Sequence, residues 1–205
     1  MMSAAADLPM RALLVTLTDF GDPAVLLPLS AVVLAWLLAS RPVRAALAWV
    51  LALALCNGMI AALKIYFYAC PAGSALRSPS GHTGFSVLVY GGIAVILARE
   101  IRSRGWRIAV TALGIAVVVV VATTRLLLGL HSPAEIALGA LIGAAGLAAF
   151  SRVYRVSRGG RGRLAPLGLL LILVAAAFHG WELRIEDYLQ GISAALGVRP
   201  MACAR

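Results

Sequence analysis

Basic, hydroxyl and imidazole side chains gather in and beside two short stretches of this chain. The first, about 64–81, holds Lys64, Arg77, Ser78 and Ser80 and runs into His82. The second, about 125–132, holds Arg125, His131 and Ser132, with Glu135 just beyond. Fixed cations and directed donors suit an oxyanion. Two histidines beside them supply a nucleophile and an acid/base. Lys64 stands apart because the chain has 17 Arg and one Lys, and a compact ammonium differs from a guanidinium in geometry and hydration. A lysine snorkelling from the end of a membrane span would account for the same position.

The stretch SPSGH (78–82) reads as a helix start. Ser78 or Ser80 supplies the cap, Pro79 suits the first turn, and Gly81 lets a ligand approach the backbone. Free N–H groups at such an end attract anions, and His82 would point into that site. The stretch TRLLLGLHSPAE (124–135) contains a capping box, Ser132 with Glu135, and Pro133 at the first helical position. Glu135 also stands four residues after His131. If the helix starts at the histidine, the two share a face. The carboxylate then holds one ring nitrogen and makes the other a better nucleophile. Capping and orienting are compatible uses of one glutamate.

A membrane scaffold has to position these groups. The 205 residues are 62% hydrophobic and 13% charged, with a mean hydropathy of +0.96; soluble domains are about 25% charged. A spanning helix needs about 20 apolar residues. Six candidate spans follow, at 23–40, 45–63, 82–98, 108–124, 133–150 and 164–181. The expected fold class is all-α, an integral membrane bundle of six transmembrane helices. The stretches 8–20 and 182–196 each place apolar residues on one helical face, predicting amphipathic interfacial helices at both ends. The chain reads as a single domain over 1–205. The N-terminus lacks a basic region followed by a short apolar core and cleavage site, so no removed signal peptide is expected.

Charge orients the bundle. The connections at 41–44, 99–107 and 151–163 carry 11 of the 18 basic residues and one acid, Glu100. The other side carries 7 basic and 7 acidic residues. Arg-rich loops stay cytoplasmic, so both reactive stretches and both termini are expected on the extracytoplasmic side. The net charge of +10 is then a product of topology, and nucleic acid is not an expected partner. His179 reads as interfacial, beside Trp181 as a belt aromatic; Tyr66, Phe67, Tyr68 and Trp106 read as belt or packing residues.

Together, Lys64, Pro79-Ser80-Gly81-His82, and Thr124-Arg125 with His131 and Glu135 resemble the type-2 phosphatidic acid phosphatase superfamily. The likeness runs over about 55–150. The family's second motif is complete. The third has Thr124 where the family has Ser and Glu135 where it has Asp. Family spacing from Lys64 would put Arg at 71 and Pro at 72, where this chain has Pro71 and Ala72.

The residues and the resemblance imply the same chemistry. Lys64, Arg125, Ser80 and the Gly81 N–H clamp a phosphate. His131 attacks phosphorus, Glu135 orients it, and His82 protonates the leaving oxygen and later activates water. Arg77 is expected to take over part of the missing first-motif arginine's role. No cofactor is expected and no metal is required, since the basic surroundings favour an anion. The implied activity is an integral membrane phosphatase acting on a lipid phosphate monoester or isoprenyl pyrophosphate in the bilayer. A lipid phosphotransferase, or a non-catalytic lipid-binding protein, is the alternative. Cys70 and Cys203 are both expected in an oxidising compartment, where a bridge between them is one option; Cys56 reads as packing.

Overall fold

The computed structural model describes residues 4–68, 78–156 and 164–196. These form α1 (Ala4–Thr18), a 3-10 turn (Asp19–Gly21), α2 (Pro23–Ser40), α3 (Val43–Tyr68), α4 (Gly81–Glu100), α5 (Arg104–Leu127), α6 (Pro133–Val156), α7 (Leu164–Phe178) and α8 (Ile185–Leu196). The protein is all-α. Five apolar stretches are long enough to cross a membrane: Leu8–Ser40, Val43–Tyr68, Gly81–Glu100, Arg104–Leu127 and Pro133–Tyr154. The sixth, α7, is apolar but has 15 residues, about 22 Å of helix against a hydrocarbon core of about 30 Å.

Helix bounds run wider than the apolar runs suggest. The second span continues to Tyr68, which puts Lys64 inside α3. The fourth begins at Arg104 and ends at Leu127, which puts Arg125 in its last turn. The connection expected at 99–107 shrinks to Ile101–Ser103. Long basic side chains can lie along apolar surface with the charge held outward, so they do not end a helix. The apolar stretch Leu8–Ser40 includes most of α1, which packs on α5.

The core forms where α2, α3, α4 and α6 meet. Trp49 of α3 is fully buried. Its indole N–H donates to the Ser30 carbonyl of α2 at 3.2 Å, and its ring meets Phe150 of α6 edge-on at 4.9 Å. In lipid, apolar burial against a neighbour gains little over lipid tails. Close packing through small residues then becomes the main attraction between helices. The α4–α6 seam shows this: a Cβ on Gly139 would stand 2.3 Å from the Ser80 carbonyl oxygen, and one on Gly143 would stand 2.2 Å from that of Gly84. Backbone meets backbone there, along the first turns of α4 and the first half of α6.

The opposite end of the bundle is fastened by charge. Arg41, between α2 and α3, pairs with Glu100 at the end of α4 at 2.5 Å, and Glu100 accepts a hydrogen bond from the Tyr154 hydroxyl of α6 at 3.0 Å. Arg99 donates to the Ser151 carbonyl at 3.0 Å.

Candidate active site

The arginine and histidine of the second stretch are spaced by a helix ending. Gly129 takes a left-handed φ of 67°, which glycine adopts without penalty. The Leu130 N–H bonds to the Arg125 carbonyl at 3.1 Å and the Gly129 N–H to the Leu126 carbonyl at 2.9 Å, a Schellman termination. The His131 N–H reaches the same Arg125 carbonyl at 3.3 Å. Arg125 therefore holds the backbone of His131 while its own side chain stays free for another task.

His131 lies before α6, not on it, so the shared helical face expected for His131 and Glu135 does not form. They meet nonetheless. Ser132 and Glu135 close a capping box, with the Ser132 N–H on Glu135 Oε2 at 2.8 Å and the Glu135 N–H on Ser132 Oγ at 3.3 Å. That curl brings Glu135 Oε2 to 3.3 Å from His131 Nδ1. The other oxygen, Oε1, accepts the Ser78 N–H at 2.9 Å, and the Glu135 carbonyl accepts the Ser80 N–H at 3.0 Å. One residue thus caps α6, orients the histidine and docks the first stretch onto the second.

The first stretch caps α4 two residues later than its earliest serine, Ser78, would allow. Ser80 is the cap and Gly81 the first helical residue, so Pro79 precedes the cap and is not in the first turn. Ser80 is extended there, which lets its N–H face Glu135. Its hydroxyl is fully buried, accepts the Thr83 N–H at 3.4 Å and lies 3.0 Å from the Thr83 hydroxyl. Gly81 and His82 line a groove with Lys64.

Lys64 is buried, its side chain 4% exposed. Its ammonium bonds the Glu186 carboxylate of α8 and lies 3.4 Å from the Tyr68 hydroxyl. Arg125 is also buried. Its Nε has no hydrogen-bond partner, and no carboxylate lies within ion-pair distance of its guanidinium, among the described residues. A buried unpaired guanidinium is costly and calls for an anion. Burial is the main force on His131. Lys64 and Arg125 reinforce it, and Glu135 and Glu186 oppose it; the imidazole is pushed down to about 4 from an ordinary 6.5. His131 is therefore neutral at physiological pH. With Nδ1 against a carboxylate, Nδ1 carries the proton and Nε2 keeps the lone pair.

Three participants escaped the sequence reading. Asp22 faces His82 Nε2 across 3.6 Å while its Oδ1 caps α2 through the Ala24 N–H at 2.7 Å and takes the Leu183 N–H at 3.2 Å. The Asp22-Pro23 pair was a visible helix-start signal; nothing local linked it to His82. Glu186 and Tyr68 are the others. His179, expected to be interfacial, has specific partners: its Nε2 lies 3.0 Å from the Thr16 carbonyl and its ring centroid 4.6 Å from that of Phe20. Arg77, Cys70 and Cys203 lie outside the described residues. Among the described residues no three of His, Cys, Asp or Glu converge as metal ligands.

Buried cations thus gather around a neutral imidazole at the helix ends of a chain with five helices long and apolar enough to cross a membrane. The model of the PAP2 superfamily matches residues 60–158, the stretch that carries Lys64, the Ser80–His82 turn, Arg125, His131 and Glu135. That match points to a phosphatase-type activity. Neither curated proteins nor solved structures give a match.

Proposed function

We propose that the protein hydrolyses a phosphate monoester or pyrophosphate carried on a lipid, at the extracytoplasmic face, through a phosphohistidine. One observation carries this reading: a neutral His131 with Nδ1 on Glu135, set beside the buried, unpaired guanidinium of Arg125. The guanidinium and the Lys64 ammonium balance the phosphoryl oxygens, where charge is spread in the transition state. The Gly81 N–H at the start of α4 adds a donor.

The His131 Nε2 lone pair forms the N–P bond as the P–O bond to the lipid breaks. His82 delivers a proton to the leaving oxygen. His82, now neutral, takes a proton from water, whose oxygen attacks phosphorus as the N–P bond breaks. Inorganic phosphate leaves and His131 is restored. Asp22 is the nearest counter-charge for the protonated His82. No step uses a cofactor.

Lipid substrates are favoured by the groove that ends at these groups. It has a volume of about 480 Å³ and continues between α2 and α3 past Ile60, Leu53 and Leu27 to Val50. From Lys64 to Val50 that is about 21 Å along α3. Asn57, partway along, donates one amide N–H to the Leu53 carbonyl at 3.0 Å, and its neighbours in this wall, Val50, Leu53, Ala54, Ile60 and Ala61, are apolar.

Phosphate release from a panel of lipid phosphates and pyrophosphates in detergent tests the reading, with His131→Ala as control. Release by the wild type alone is the expected result. Transfer to a lipid acceptor without phosphate release would indicate the phosphotransferase. Absence of turnover on every member would leave a lipid-binding role.

A further inference from the structure

Glu186 occupies the position in which a substrate's anion would be expected. Its carboxylate bonds the Lys64 ammonium and lies within electrostatic reach of His131 and Arg125 as well. The site's other carboxylates are committed: Glu135 to the Ser78 and Ser132 N–H groups and His131, Asp22 to the Ala24 and Leu183 N–H groups and His82. Burial works to raise the Glu186 carboxyl, but the charge and hydrogen bond of Lys64, with Arg125 behind it, outweigh burial and leave it below the ordinary value. The carboxylate is therefore ionised at neutral pH. An acidic residue in a first helical turn is common because it complements the helix dipole. That explains Asp187, which pairs with exposed Arg184 at 2.7 Å. It does not explain why Glu186 turns inward onto a buried lysine.

The helix that carries Glu186 also walls the apolar groove. Leu183, Ile185 and Leu189 line it alongside Leu27, Leu53 and Phe85. Two polar tethers hold this wall: the Ser193 hydroxyl on the Ile65 carbonyl at 2.8 Å, and the Leu183 N–H on Asp22. One segment thus brings a wall of the groove and the carboxylate on Lys64 together.

We propose that Glu186 is a built-in competitor for the anion site, making it selective for phosphates that carry an apolar tail over water-soluble phosphates. The selectivity for substrate rests on the phosphatase reading above; the competition does not. A soluble phosphate must displace a charge-assisted hydrogen bond with its own charge alone. A lipid phosphate adds the close packing of its tail against the α8 wall that carries the carboxylate, and so competes with more than its charge. Loss of one charge-assisted bond corresponds to about ten- to a hundredfold in affinity.

The test uses the full-length protein in detergent, wild type and Glu186→Gln, with Glu186→Ala as second variant. Inorganic phosphate and orthovanadate binding are measured directly by ligand-dependent thermal shift. KM is measured for p-nitrophenyl phosphate and for a long-chain lipid phosphate. Expected are binding tightened about tenfold or more in both variants, a KM for the soluble ester that falls in step, and a lipid KM that changes by less than about threefold. Phosphate binding equal to or weaker than wild type in a folded variant would overturn the proposal. So would an equal fall of KM for both ester types, which would remove the selectivity. Tightened phosphate binding in a protein that turns over no ester would sustain the competition and reject the phosphatase reading.

Discussion

The Glu135 carboxylate and the Ser78 N–H, 57 positions apart in the chain, meet at 2.9 Å. Through that bond the two stretches that carry His82 and His131 become one site. The same carboxylate holds His131 at its other oxygen, so assembly and activation depend on one side chain.

Glu135→Gln should therefore damage both. Charge-assisted hydrogen bonds contribute about 1.5–3 kcal/mol each, so thermal stability falls. Phosphate release should fall further, by about 10²-fold or more, because His131 loses its orienting charge. Melting curves and turnover measured on one preparation check this. A stability loss with turnover kept would reduce Glu135 to a cap.

Arg125→Met should separate stability from function. The native side chain is a buried cation with an unpartnered Nε, retained at a cost. The variant is expected to melt at or above the wild-type temperature without ligand. It should lose the extra stabilisation that phosphate or vanadate gives the wild type, and lose about ten- to a hundredfold in kcat/KM. A large destabilisation without ligand would show that Arg125 serves the fold.

His131 sets a pH dependence with a definite sign. Its folded-state value of about 4 lies below the ordinary 6.5. Between those values the unfolded chain binds a proton that the folded chain does not. Stability from this group is complete above about pH 6.5 and is lost as pH falls toward 4, on the order of 3 kcal/mol in all. Melting temperature against pH should show this slope in the wild type and a shallower one in His131→Asn. In the wild type, a fall of kcat/KM between pH 7 and 5 would report a group other than His131, which stays neutral through that range.

The α4–α6 seam predicts a contrast between glycines. Gly139→Ala forces a methyl against the Ser80 carbonyl and should cost about 1–3 kcal/mol, together with activity, because Ser80 adjoins His82. Gly168→Ala in α7 meets nothing within 4 Å and should be neutral or slightly stabilising. Equal behaviour of the two variants in melting experiments would contradict the seam.

Much of this was legible in the residue order. Apolar run length showed the helices, and the spacing of Arg125, His131 and Glu135 pointed to residues that the structure brings together. Helix ends were less legible, because Arg104, Arg107 and Lys64 are polar by type yet helical in place. Pro79 was misread because the turn that positions it depends on a bond to Glu135, far along the chain. Asp22 and Glu186 were invisible as site residues for the same reason. Their meaning comes from the return of the segment after α7 to the start of α2 and the end of α3, and no local periodicity encodes a return.

The clasp of Arg41, Glu100 and Tyr154 sets the mechanics of the whole molecule. It joins the α2–α3 hairpin to α4 and α6 at the end remote from the histidines. A hairpin pinned there is a lever with its fulcrum in the basic layer. Its long arm is α3, 26 residues, or about 39 Å. A tilt of about 5° moves the tip carrying Lys64 and Tyr68 by about 3 Å over that length. At Gly139 and Gly143 the seam of α4 and α6 meets backbone to backbone, which favours keeping the two histidines at their separation while the mouth widens. Such a device would widen the space between α2 and α3 while leaving the starts of α4 and α6 in place.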